Sequence, residues 1–192
     1  EDIKTKASMR ASVTSELFLD EVAVPEANRL DVMGLKGALS CLNQARFGIA
    51  WGALGSAMAT FSAALDYATT RTQFRDRPIA AHQITQVKLA EMYSEITKGQ
   101  LLALQLGRMK DAGTMRHEAV SLAKRNNVRV ARECARTARE IHGANGIVSE
   151  YPIMRHLMNI ETVYTYEGTH DIHTLVLGNY LTGIPAFEPP AE

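Results

Sequence analysis

The chain has 192 residues with 21 basic and 21 acidic side chains, so its formal charge at neutral pH is zero. That length can bury one sizeable core plus an appendage, and the balanced charge argues against nucleic acid or an anionic membrane surface as the main partner. Only Cys41 and Cys134 carry thiols; both lie in apolar helical contexts and read as buried free cysteines of a reducing compartment. No apolar run is expected to approach membrane-spanning length, and no signal peptide is visible. The opening Glu1-Asp2-Ile3-Lys4-Thr5 reads as the middle of a longer polypeptide.

Residues 1–30 differ in kind from the rest. Residues 8–13 and 16–24 contain short β-like runs, in which Phe18, Val22 and Val24 alternate against Leu17, Leu19 and Ala23 until Pro25 closes the second. Two short strands cannot hold a sheet by themselves. They are expected to be the end of a sheet whose other strands lie elsewhere, with packing on the helices as the alternative.

From Gly34 onward the pattern is helix, turn, helix. A first helix is expected over 35–70, with Gly48 and Gly52 on one face, where a neighbour can come close. A polar break follows over 71–78, since Pro78 bars helix continuation from before it. A second helix is expected over 80–110, with an apolar stripe of Ile84, Val87, Met92, Ile96, Leu102, Leu106 and Met109. The third is expected over 116–141, with Leu122, Ala123, Val130, Ala131, Cys134, Ala138 and Ile141 inward. Its arginines read as a solvated face of i,i+4 pairs, Arg129–Glu133 and Arg136–Glu140; an anion-binding stripe is the alternative. Gly143-Ala144-Asn145-Gly146 stops this helix, a shorter one follows over 151–160, and the last spans about 169–180. The fold class is all-α: an antiparallel up-and-down helical bundle over 34–187, preceded by the short β remnant.

Four groups could carry chemistry. Tyr166-Glu167-Gly168-Thr169 joins two helices. It places a carboxylate beside a residue with no Cβ and beside Thr169, which can cap a new helix with free N–H groups beyond it. Such a junction can hold an anionic cofactor edge and move a proton; an acid near a helix cap is the plainer reading. Arg71, with Gln73 and Phe74, either complements a helix dipole or offers a forked donor to a pyrophosphate. His142-Gly143-Ala144 is either a cap and turn or a backbone platform for a cofactor. His170 and His173 stand three apart, but no further ligand at sensible spacing supports a metal, and none is expected.

Taken together these segments resemble the acyl-CoA dehydrogenases, flavoenzymes that desaturate acyl-CoA thioesters. Several stretches resemble the glutaryl-CoA dehydrogenase branch: Cys41 to Arg46 with Gly48-Ile49-Ala50-Trp51-Gly52, Ser121 to Asn127, Thr165 to His173, and Thr182 to Phe187. The resemblance implies that residues 1–30 end a middle β-domain and 34–187 form the C-terminal helical domain. It implies FAD as cofactor and Glu167 as the base that removes the α-proton while the β-hydrogen leaves as hydride. Some family members place the base on the helix matching 39–46, where this chain has Ala45. The family uses the base residue's own amide, with a flavin hydroxyl, to stabilise the thioester oxygen.

Carried over by position, Leu39, Ser40, Cys41, Leu42, Asn43, Gln44, Ala45, Arg46, Gly168 and Phe187 match acyl-CoA contacts. Arg71, Gln73, Phe74 and Gln83 match a segment that reaches FAD across a subunit interface. His142, Gly143 and Ala144 match a second FAD segment, and Thr169, His170 and Asp171 a third. The family commonly has glycine after the Gln-Phe pair, where this chain carries Arg75-Asp76-Arg77, and Ala144 stands for a frequent glycine. The implied reaction is oxidative decarboxylation of glutaryl-CoA to crotonyl-CoA, with electrons passed to an electron-transfer flavoprotein. The implied state is a soluble homotetramer of the bacterial cytoplasm or, in a eukaryote, the mitochondrial matrix. A short-chain acyl-CoA dehydrogenase without decarboxylation, or a purely structural helical assembly domain, are the alternatives. These 192 residues are expected to be inactive alone.

Overall fold

Five helices account for most of the chain: α1 (Lys36–Thr70), α2 (Gln83–Asp111), α3 (His117–Ile141), α4 (Ile153–Thr165) and α5 (His170–Thr182). The computed structural model describes residues 1–186. The first three helices run up, down and up; α4 then α5 return along α3, which touches every other helix. The all-α expectation is met, and each helix begins and ends within a few residues of where periodicity and turn residues put it, α4 extending furthest beyond.

Small residues set the spacing of the bundle. On α1 the buried positions are Ala50, Ala53, Leu54, Ala57, Thr60, Ala64 and Ala68, spaced at three and four. They face Val120, Ala123, Val130, Ala131, Cys134 and Ala138 of α3. Alanine against alanine lets two long helices approach closely over many turns. Asn127, fully buried, stitches three helices by donating to Ala50 O at 2.8 Å and Gly99 O at 3.3 Å. Gly99 on α2 is required by this approach: a Cβ there would lie 2.7 Å from Leu54 Cδ2 and 3.0 Å from Asn127 Oδ1.

Several expectations are corrected. Residues 8–13 and 16–24 form no strand; Asp2 and Ser15 make one isolated bridge, and Leu17, Phe18, Leu19, Val22 and Val24 stand exposed. Alternation specifies a strand only where a neighbouring strand supplies hydrogen bonds. The polar break contains a two-residue hairpin, β1 (Thr72–Gln73) with β2 (Arg77–Pro78), turned through Phe74, Arg75 and Asp76, all at positive φ.

Ile84 and Val87 are exposed rather than inward, because the buried stripe of α2 begins at Met92. Leu122 is also exposed. Cys134 is buried, but Cys41 is exposed near the start of α1. The α3 arginines do not form the expected i,i+4 pairs. Arg129 reaches Glu95 on α2, Arg132 and Arg136 reach Glu161 on α4, and Lys88 takes Glu140. Arg136 also keeps a same-helix partner, Glu133, at i,i−3 and 3.6 Å, so acids on adjacent helices replace the i,i+4 pairs without removing every contact within α3. Finally, α1 is long and apolar enough to cross a membrane, contrary to expectation, although it is packed against α2, α3 and α4.

Candidate active site

The loop between α4 and α5 is held by its carbonyls. Tyr166 N–H closes α4 on Thr162 O at 2.8 Å, and Thr169 opens α5 by accepting Ile172 N–H at 3.2 Å, the cap its sequence position implies. Between these ends, three successive carbonyl oxygens turn into the bundle. Lys124 of α3 donates to Tyr166 O at 2.9 Å and to Gly168 O at 2.7 Å. Arg46 of α1 donates to Glu167 O at 2.7 Å, and His173 Nε2 donates to the same oxygen at 3.2 Å.

This grip holds an unusual backbone. Glu167 lies at φ +57° and Gly168 at +89°. For a residue with a Cβ the left-handed region costs about 1–2 kcal/mol. Glycine at 168 is also needed for space, since a Cβ would sit 3.0 Å from His173 Nε2 and 3.3 Å from Arg46 Nη2. Oε2 of Glu167 is buried and has no hydrogen-bond partner among the described residues. Within the same residues, the Glu167 N–H donates to no acceptor either. One acid oxygen and one amide of the same residue are therefore without a hydrogen-bond partner among the described residues.

Electrostatics follow from burial. Lys124 is 1% exposed, and its ammonium is pushed down to about 8, first by burial and then by the Arg46 charge; the Glu167 carboxylate opposes both. His173, also buried, is pushed down to about 4 by burial and by the Lys124 and Arg46 charges. It is neutral at pH 7. With Nε2–H donating to Glu167 O, Nδ1 is left to accept the Ser121 hydroxyl at 3.0 Å. His170 stacks on Tyr164 with ring centroids 4.5 Å apart, and its basicity is lowered chiefly by burial. Its Nδ1 is buried and unpartnered among the described residues.

The remaining sequence-derived residues divide into groups. Leu39, Ser40, Cys41, Leu42, Asn43, Gln44, Ala45 and Arg46 occupy the first turns of α1, with Arg46 touching the loop. Ala45 and Tyr166 line one 520 Å³ cavity together with Gly48 and Gly52, whose missing side chains leave it open. Thr169, His170 and Asp171 open α5 beside Glu167.

Arg71, Gln73, Phe74 and Gln83 are exposed around the α1–α2 connection. His142 lies at the same end of the bundle, at the close of α3, buried and stacked on Tyr67 at 4.3 Å, while Gly143 and Ala144 are exposed. Along α3, Lys124 and His142 are about 27 Å apart at the helical rise of ~1.5 Å per residue. Within one chain these residues therefore do not meet the loop that carries Glu167. Phe187 lies outside the described residues. No group of three or more His, Cys, Asp or Glu able to hold a metal occurs among the described residues.

Sequence reading assigned no role to Lys124, His173 or Ser121. A signal for the lysine existed. Position 124 falls in the inward register of α3 with Val120, Ala123, Asn127, Val128 and Ala131, where a cation needs a reason to be.

The fold and this loop together define a class: a helical bundle carrying a candidate acid–base carboxylate at a helix junction. Residues 33–181 match the acyl-CoA dehydrogenase C-terminal domain. The fold overlays a crystal structure of glutaryl-CoA dehydrogenase from Mycobacterium smegmatis with a TM-score of 0.95 and 57% identity, over 97% of this chain and 48% of that one. A second glutaryl-CoA dehydrogenase structure from that organism, in complex with FADH2, gives 0.94 and 49% identity over 98% of this chain and 49% of that one. An acyl-CoA dehydrogenase from Bacillus subtilis is 37% identical over 93% of this chain and 47% of its own length. The chain belongs to the acyl-CoA dehydrogenase family, of which it represents the C-terminal helical domain. It spans about half the length of the relatives it matches.

Proposed function

We propose that this chain is the helical part of an FAD-dependent glutaryl-CoA dehydrogenase, with Glu167 as the base that takes the α-proton of the thioester. The observation that carries the reading is Glu167 itself: a carboxylate oxygen buried without a partner among the described residues, on a loop fixed from α1, α3 and α5. The likeness to the two Mycobacterium smegmatis enzymes supports the choice of glutaryl-CoA.

Glu167 Oε2 accepts the α-proton, and the Glu167 N–H donates to the thioester oxygen as charge develops on it. The first turns of α1, from Leu39 to Arg46, together with Gly168 and Phe187, border the acyl-CoA. Loss of the distal carboxyl as carbon dioxide then gives crotonyl-CoA. FAD, when bound, supplies the hydride acceptor for the β-hydrogen. The residues present fit it: His170 Nδ1 lacks a partner among the described residues, and Thr169 caps only Ile172 N–H, which leaves the N–H groups of His170 and Asp171 at the start of α5 without an acceptor among those residues.

Arg71, Gln73, Phe74 and Gln83, with His142, Gly143 and Ala144, would hold FAD from a neighbouring subunit. Their distance from Glu167 along the bundle supports a homo-oligomer, a tetramer by resemblance. Residues 1–30 are the end of a middle β-domain in this reading, and the exposed Leu17, Phe18 and Leu19 there are consistent with a further packing partner. Electrons would leave to an electron-transfer flavoprotein.

The test is the intact enzyme with glutaryl-CoA and butyryl-CoA, following thioester oxidation and carbon dioxide release, in parent and Glu167→Gln forms. Faster turnover of glutaryl-CoA with stoichiometric carbon dioxide, abolished in the variant, is expected. Preference for butyryl-CoA without carbon dioxide would replace the substrate assignment with a short-chain one. Retained dehydrogenation in the variant would remove Glu167 from the role.

A further inference from the structure

Lys124 donates to the two carbonyls that bracket Glu167, those of Tyr166 and Gly168, from a position buried within α3. A trans peptide holds its C=O and N–H antiparallel. With the Tyr166 carbonyl drawn inward to the lysine, the N–H of the same peptide, which belongs to Glu167, must point the opposite way, out of the bundle. The Gly168 carbonyl is drawn inward in the same manner. The intervening Glu167 carbonyl is taken by Arg46 and His173.

We infer that Lys124 is a positioning residue for the reaction: by fixing the Tyr166 and Gly168 carbonyls it aims the Glu167 amide at the substrate oxygen and keeps Glu167 in its left-handed conformation. The inference rests on the reading of Glu167 as the base. A flip of the Tyr166–Glu167 peptide would present a carbonyl where a donor is needed, replacing attraction for a developing negative charge with repulsion.

Stability alone does not account for the residue. Burying an ammonium beside the Arg46 cation is unfavourable, and its lowered basicity reflects that. A hydrophobic residue here would avoid the cost but leave both carbonyls unpaired and the peptide free to turn. Lysine has the reach and the number of donors to hold two carbonyls at once.

The experiment compares Lys124→Met, Lys124→Gln and Glu167→Gln in the intact, FAD-loaded enzyme, with kcat and KM for glutaryl-CoA and a crystal structure of each lysine variant. Loss of one oriented donor to an oxyanion costs about 100-fold or more in kcat. K124M is expected to show that loss with KM changed less than about threefold, and its Tyr166–Glu167 peptide turned. K124Q, whose amide keeps two N–H donors, should recover about tenfold of it.

The inference is overturned if K124M keeps kcat within about threefold of the parent, or if its kcat falls while Glu167 keeps its positive φ and outward amide. Should K124M fail to fold, K124Q decides. Full kcat with its contact to Tyr166 O broken overturns the inference; a reduced kcat with the contact weakened supports it. If Glu167→Gln retains kcat, the base assignment has failed, whatever the lysine variants do. If it loses kcat and K124M does not, only the positioning role has failed.

Discussion

Gly168→Ala isolates how much the loop depends on its backbone geometry. At φ +89° an alanine costs about 1–2 kcal/mol relative to glycine. The added Cβ would lie 3.0 Å from His173 Nε2 and 3.3 Å from Arg46 Nη2, closer than ordinary contact. The ring cannot simply retreat, because its Nδ1 is held by Ser121 at 3.0 Å on the other side. Relief must stretch the 3.2 Å bond from His173 to Glu167 O, and losing that bond costs about 1 kcal/mol more. Together the loss is about 2–3 kcal/mol, concentrated where Glu167 is held. Urea unfolding followed by helical circular dichroism measures it, with kcat measured alongside. Gly55→Ala is the control: it lies inside α1 with nothing within 4 Å of its added Cβ, and helix propensity alone predicts a gain of up to about 1 kcal/mol. A Gly168→Ala protein within about 0.5 kcal/mol of the parent, with kcat unchanged, would refute the account of the loop as strained and clamped.

Other consequences can be measured directly. His173 is buried neutral and pushed down to about 4, so the unfolded chain binds more protons than the native one between pH 4 and 6.5. Stability must therefore fall as pH drops through that window, by about 3 kcal/mol from this group, and His173→Phe should flatten the acid limb of a stability–pH curve. Lys124 gives the opposite limb: with its ammonium at about 8, stability should rise between pH 8 and 10.5, and K124M should lack that rise. Gly99→Ala forces a Cβ to 2.7 Å from Leu54 Cδ2 and should destabilise the bundle by about 1–3 kcal/mol in a urea titration. Cys134, with its thiol pushed up to about 12 mainly by burial, should resist thiol reagents until unfolding, while the exposed Cys41 should react first.

Helices were legible because their signals are local. Gly143 and the Asp111-Ala112-Gly113 turn mark helix ends regardless of what packs nearby, and Thr169 caps α5 as its position implies. The errors arise where a neighbour decides. Alternation in residues 16–24 is a strand pattern without a strand beside it. Arg129 and Arg136 have acids four residues on, yet Arg129 goes to Glu95 of α2 and Arg136 is shared between Glu161 of α4 and Glu133 of its own helix, because interhelical geometry is not written in spacing. Ile84 and Val87 keep the apolar period of α2 but remain exposed, although α3 runs beside this turn and Lys88 reaches Glu140 there.

The candidate site shows the same division in sharper form. Glu167 and Gly168 could be singled out because a carboxylate next to a glycine at a helix junction is a local pattern. Lys124 could not, because its significance lies in two carbonyls more than forty residues away that no periodicity connects to it. Its register nevertheless held a contradiction: a cation at an inward position of α3, between Ala123 and Asn127. Such a residue has three physical outcomes: the helix rotates to expose it, the lysine stays neutral, or the fold brings acceptors to it. Here the loop brings the acceptors. The buried ammonium and the left-handed glutamate are each unfavourable alone, and each is held by the other. That mutual dependence makes the loop a single unit, so Lys124 and Gly168 substitutions should be non-additive in a double-mutant cycle. Additivity within about 0.3 kcal/mol would mean that lysine and loop are independent features placed side by side.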